Sequence, residues 1–157
     1  MFGLRFIQSE ALLPTHPKSI QLKKLLYPYA SKNVAGLAAL ALRLAMGFTM
    51  IPAHGWAKLS GFSERKSEFV NFMGLGSEIS LGLAVFAEFF CALLLIVGLF
   101  TRLASIPLII TMIVALNGHN WEIFGENELA FLFLAGFSAI LLLGPGKYSM
   151  DALIVKK

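Results

Sequence analysis

Charge is what this sequence has least of. Only 14% of its 157 residues are Asp, Glu, Lys or Arg, against 57% hydrophobic. A soluble domain of this length hides its apolar groups behind charged faces, and there are too few charges here to do so. Cysteine occurs once, at Cys91, which excludes an internal disulfide and a CxxC redox pair; a small buried hydrophobe is the role that fits it. The chain has no glycine-rich phosphate loop, no haem, flavin or iron–sulfur motif and no basic stripe suited to nucleic acid. No HxxxH or HxxE spacing falls within one apolar run, so no metal site is expected. Alternation with period two is missing, which excludes a membrane barrel. The first 32 residues lack the continuous apolar core and small-residue cleavage site of a removed signal.

What is present is a set of long segments that are apolar on every side, the mark of membrane spans. The first runs from about Val34 to Ala53 and the second from about Ile79 to Phe100. Each has roughly the 20 residues needed to cross a bilayer core. Two shorter runs follow, LASIPLIITMIVALNG and LAFLFLAGFSAILLL. Beside two full-length spans they complete an all-α, four-helix transmembrane bundle with antiparallel neighbours, expected over 34–154. Residues 1–33 read as a basic cytoplasmic tail and 155–157 as a cytoplasmic C-terminus. Within the tail, SIQLKKLLYPY suits equally a helix lying along lipid or a tail with a few apolar residues. Between the first two spans, SERKSEFVNFM places Phe69, Phe72 and Met73 on one helical face, which predicts a short in-plane helix over the outer mouth.

Orientation follows from the basic residues. With four spans, nine of the thirteen Lys and Arg fall on the side of the termini and three on the other, with Arg43 inside the membrane. Cytoplasmic segments collect Lys and Arg, so both termini are expected in the cytoplasm of an inner (plasma) membrane protein, with the basic side facing anionic lipid.

Two charges stand inside the spans. Arg43 is near the middle of the first and Glu88 near the middle of the second. A lone charge at the bilayer centre costs about 2.5–3.5 kcal/mol or more, and such groups usually mark a functional path. The spacing predicts an Arg43–Glu88 pair facing the bundle interior. Gly47, Met50, His54 and Lys58 follow Arg43 at helical spacing, forming one stripe that ends at the outer mouth. Pro52 removes the bond to the Phe48 carbonyl and predicts a kink. Asn117, His119 and Glu128, at the outer ends of the last two spans, complete an outward-opening polar pocket with Arg43 and Glu88 at its floor.

These residues also carry a resemblance. The run Arg43, Gly47, His54, Gly55, Lys58, the Glu88 span ending in Gly98-x-x-Thr101-Arg102, and the closing stretch Gly144 to Asp151 (GPGKYSMD) together resemble the DoxX family of small four-helix membrane proteins. That resemblance implies a link to membrane oxidoreductase complexes, to thiosulfate:quinone oxidoreductase subunits and to oxidative-stress responses.

Two function classes follow. One is a redox-linked subunit whose pocket holds a quinone headgroup or a small sulfur anion. Arg43, His54 and Glu88 would serve as catalytic groups there, with Gly47, Met50, Lys58, Asn117, His119 and Glu128 lining the ligand site. With no intrinsic cofactor, it would need a diffusible quinone or an oxidoreductase partner subunit to carry electrons. The other is a non-catalytic scaffold that docks a partner. Membrane lipid is expected around either, and a second copy of the chain is a candidate neighbour.

Overall fold

The computed structural model describes residues 31–118, 121, 123–125 and 127–155. The tail before residue 31 lies outside the described residues, as do His119, Asn120, Glu122, Glu126 and 156–157. Ser31–Lys157 forms one compact unit. Among the described residues it is all helical, and three helices are long and apolar enough to cross a membrane.

Helix α1 spans Lys32–Ser60, 29 residues. Ser31 caps its start, accepting a hydrogen bond from the Val34 N–H at 3.3 Å, which satisfies one of the orphan donors of the first turn. Pro52, the expected site of a kink, falls in a π-helical stretch, Ile51–Gly55. A wider turn accommodates a residue that cannot donate its bond, and the helix carries on for two more turns.

Helix α2 is only Phe62–Arg65, and a 3₁₀ turn at Phe72–Gly74 follows it. The continuous in-plane helix expected over SERKSEFVNFM therefore does not form. Residues 66–71 leave the helix, Met73 takes a positive φ of 52° and is exposed, and Phe69 and Phe72 are half-buried against the groove.

Helix α3 spans Ser77–Val97 and carries its own π-helical stretch, Phe86–Cys91. It stops at Gly98, whose φ of 77° is the left-handed cap that glycine supplies without strain. Helix α4 is Thr101–Gly118, and the shorter apolar helix α5 is Glu128–Leu143. A six-residue helix, α6, covers Met150–Val155.

Helices α1, α3, α4 and α5 share one core: Met50 from α1; Cys91, Ala92 and Leu95 from α3; Ala104, Leu108 and Met112 from α4; Phe133, Phe137 and Ile140 from α5. Cys91 is buried in it as a small hydrophobe. Small residues set how closely the backbones approach. A Cβ on Gly47 would strike the Ile96 side chain, and one on Gly55 would lie 2.5 Å from the carbonyl oxygen of Glu88. Later residues of α1 thus meet earlier residues of α3, and the two π-helical stretches lie side by side.

Gly55→Ala pushes a methyl group into backbone that cannot yield, so it should destabilise the fold by about 1–3 kcal/mol, the usual cost of overpacking. A Cβ on Gly82 would stand in open space, so Gly82→Ala should leave stability unchanged or raised. Thermal unfolding of the two purified variants in the same detergent separates these outcomes.

Candidate functional site

The two intramembrane charges do not meet. Arg43 is level with Gly98, and Glu88 is level with Gly55. Twelve residues of α1 separate the two levels, about 18 Å along a helix. The predicted Arg43–Glu88 pair assumed spans of equal length with matched centres. In the structure α1 runs on past Ala53 to Ser60, and its first turns extend beyond the end of α3. There the C-terminal segment covers them, with Lys147 and Gly146 against Gly36.

Arg43 is completely buried where α3 ends. Its Nη2 donates to the Tyr148 carbonyl at 2.5 Å, and its guanidinium lies over Gly98, where any Cβ would collide with it. The carbonyl end of a helix is the negative end of its dipole, so a cation is favoured there. Asp151 adds an opposite charge nearby. That aspartate is itself a remote cap: it accepts hydrogen bonds from the Phe100 N–H at 2.8 Å and from the Thr101 N–H and hydroxyl, both at 2.9 Å. Its own N–H donates to the Gly98 carbonyl at 3.0 Å. The segments Gly98–Arg102 and Gly144–Asp151 therefore form one clasp around Arg43.

Glu88 instead pairs with Lys58, whose Nζ donates to its Oε2 at 2.5 Å. The carboxylate side chain is only 6% exposed and the lysine side chain 19%. Both π-helical stretches contribute to this contact. They bring Gly55 against the Glu88 backbone and leave Lys58, one turn farther along α1, within reach of the carboxylate.

The ion pair stands at the edge of a cavity of about 640 Å³ between α3 and α4, roofed by the connection after α2. Leu83, Ala84, Phe86 and Ala87 form one wall, Pro107, Ile110, Thr111 and Val114 the other, and Phe69, Val70 and Phe72 the roof. Leu83, Phe86 and Ile110 are also exposed on the outer surface, so the groove opens sideways between the helices. Its two hydroxyls are engaged by backbone. Ser80 accepts from the Phe72 N–H and donates to the Gly76 carbonyl, and Thr111 donates to the carbonyls of Pro107 and Leu108. The Lys58–Glu88 pair is thus the polar feature this groove offers to a ligand.

The pocket drawn from the sequence is rearranged accordingly. Glu88 and Lys58 line the groove, whereas Arg43 belongs to the clasp. Gly47 and Met50 are buried in helix packing. Asn117 and Glu128 are exposed, with Glu128 accepting from the Gly125 N–H at 3.4 Å. His119 lies outside the described residues. His54 turns toward α5, its ring edge-on to Phe133 at 5.7 Å, and its Nε2 is buried without a hydrogen-bond partner. Sequence reasoning missed the roles of Tyr148 and Asp151. Capping signals are read within a few residues of a helix start, and Asp151 is 50 residues from the helix it caps.

Two outcomes are expected. Lys58→Met leaves Glu88 buried and unpaired, which costs about 3–5 kcal/mol, whereas Lys58→Met with Glu88→Leu should recover most of that loss; thermal unfolding in detergent reads both. The second concerns Asp151. Burial pushes its carboxyl up, but the hydrogen bonds from Thr101 and Phe100, together with the Arg43 charge, outweigh burial and hold it below the ordinary range. A lowered carboxylate contributes stability above the usual value of about 3.9 and loses it as pH falls through the folded one. Asp151→Asn should therefore be less stable than the parent at neutral pH and should lack this acid-side loss, a comparison made by melting both from neutral pH downward.

Comparison with known proteins agrees with these residues. The DoxX family model matches residues 38–121, more than half of the chain. The inner membrane protein YqjF of Escherichia coli (strain K12) is 29% identical over 131 residues, covering 80% of this chain and 98% of that protein. No solved structure matches the chain. With Arg43, His54, Lys58, Glu88 and the Gly98–Arg102 turn all inside the matched region, and apolar helices long enough to span a bilayer, the chain belongs to the DoxX family of membrane proteins.

Proposed function

We propose that this chain is the membrane-embedded, redox-linked subunit of a quinone-linked assembly. In this reading α1, α3, α4 and α5 form an antiparallel four-span bundle in the inner membrane with both termini in the cytoplasm. The lateral groove admits the ring and first isoprenoid units of a quinone directly from the lipid phase.

The observation that carries the proposal is an apolar groove of about 640 Å³ with one ion pair, Lys58–Glu88, at its polar edge. Small-molecule sites generally have this character, mostly apolar with a few placed polar groups. The pair suits both redox forms of such a ring. The Lys58 ammonium can donate to a quinone carbonyl, and the Glu88 carboxylate can accept from a quinol hydroxyl. The pair carries no net charge, which favours a neutral ring such as a quinone over a small sulfur anion. Electrons come from a partner subunit, since the chain has no redox motif of its own.

A second reading, the non-catalytic scaffold, is favoured by the clasp, which uses Arg43 for architecture. Titrating the purified protein with a short-chain ubiquinone analogue, followed by quenching of Trp56 and Trp121 fluorescence, separates the two. Saturable binding should be weakened about tenfold, or 1.4 kcal/mol, by Glu88→Gln and abolished by Leu83→Trp, which fills the groove. Absence of saturable binding in the parent protein would leave the scaffold reading standing.

A further inference from the structure

The clasp end of the bundle carries exposed cations that no carboxylate of the described residues answers. Lys32 stands one turn before Gly36, Lys147 has its Cβ against Gly36, and the Arg102 guanidinium lies over Gly144. The one described carboxylate at this end is Asp151, and both its oxygens are engaged by Phe100 and Thr101. Glu64, Glu68, Glu78 and Glu128 belong to the opposite end. Arg102 is in the first turn of α4, where the helix dipole disfavours a cation, so helix stability does not account for it. Its one hydrogen bond is long, 3.5 Å from Nη2 to the Leu142 carbonyl, which leaves most of its N–H donors unengaged by the described residues. A Cβ on Gly144 would come within 3.1 Å of its Nε and Nη2, so the glycine lets the guanidinium lie against the backbone. Around it Leu103, Leu142 and Leu143 are exposed by 65%, 80% and 57%. In a membrane-spanning chain such leucines face acyl chains, so this guanidinium stands where acyl chains give way to headgroups. Lys147 is also held in place: its Nζ donates to Asn33 Oδ1 at 2.8 Å and lies 5.8 Å from the centre of the Tyr148 ring.

We propose that Arg102 and the Gly144–Lys147 turn form a docking site for the headgroup of an anionic phospholipid. The phosphate sits on the Arg102 guanidinium, whose planar fork matches two phosphate oxygens at once, and Lys147 adds a point charge from the same turn. The acyl chains lie along Leu103, Leu142 and Leu143. Those leucines select a lipid over a free phosphate, since only a lipid has apolar chains to lay on them. Such a lipid touches the start of α4, the end of α5 and the segment that closes the clasp, so its binding holds the clasp shut. The site is at the opposite end of α4 from the roof of the groove and does not depend on what the groove holds.

The test titrates the full chain in lauryl maltoside with dioleoyl phosphatidylglycerol or dioleoyl phosphatidylcholine. Thermal unfolding gives the stabilisation, and native mass spectrometry counts the lipid bound. A ligand that binds only the folded chain raises its melting temperature as its concentration rises. Phosphatidylglycerol should do so saturably and phosphatidylcholine should not. Arg102→Gln should raise the half-saturating phosphatidylglycerol concentration about tenfold. Arg102→Lys keeps the charge but loses the fork, so it should fall between Arg102→Gln and the parent. Lys147→Gln should raise the concentration about twofold to threefold, and Lys66→Gln, at the other end of the bundle, should leave it unchanged. Each variant is compared with its own lipid-free melting temperature, and Arg102→Lys with Lys147→Gln carries the comparison should Arg102→Gln fail to fold. Equal stabilisation by the two lipids, or a titration that neither Arg102 variant shifts, would overturn the site. Stabilisation by glycerol phosphate at the same concentrations would assign it to a free phosphate and overturn the lipid.

Discussion

A carboxylate buried among apolar helices must have a cation, and nearly everything at the groove follows from how Glu88 obtains one. Its partner, Lys58, lies two turns beyond the point where Pro52 interrupts the helical bonding of α1. Without the π-helical stretch at Ile51–Gly55, the residues after Pro52 would take a different rotation about the helix axis. The matching stretch at Phe86–Cys91 sets the rotation of Glu88. Gly55 lets the two irregular segments touch backbone to backbone. Departures from α-helical geometry in both helices thus converge on one 2.5 Å contact, and the groove begins at that contact.

Arg43 meets the same problem differently and only in part: Nη2 is hydrogen-bonded, while Nε and Nη1 are buried without a partner. No carboxylate reaches it directly. It is held by a main-chain carbonyl, by the negative end of α3 and by the field of Asp151. These groups belong to the turn after α3 and to the C-terminal segment, so burying the guanidinium ties the end of the chain to its middle. A buried charge of this kind is weak evidence of stabilisation but a constraint on geometry, because moving either segment would remove the one carbonyl that Arg43 is bonded to. Its consequence for function is indirect: the clasp fixes the axial offset of α1 against α3, and that offset brings Lys58 rather than Arg43 level with Glu88.

Two polar centres therefore divide the labour along α1. The clasp end is closed, with donors and acceptors drawn from loops and caps. The groove end is open at the side, lined by Leu83, Phe86 and Ile110, and its hydroxyls are already engaged by backbone. An apolar ligand arriving laterally meets no unsatisfied hydroxyl there, only a neutral ion pair.

The helical class, the apolar segments, the burial of Cys91, the family and the concern for Arg43 and Glu88 were all legible in composition and spacing. These depend on local pattern: apolar periodicity, segment length, and the rule that a charge in an apolar span needs a partner. The stripe Arg43–Gly47–Met50 was legible too, since helical spacing alone puts those residues on one buried face. Which partner each charge takes was decided by tertiary structure. Pairing depends on the axial offset between helices, and that offset arises from the extra turns of α1, the short Gly98–Phe100 turn and the returning C-terminal segment. The same holds for Asp151, a cap supplied from 50 residues away, and for the expected in-plane helix, which stops at Arg65. Sequence determines what must be satisfied, because desolvation cost belongs to the residue itself; only the packed chain decides what satisfies it, because distance belongs to the fold.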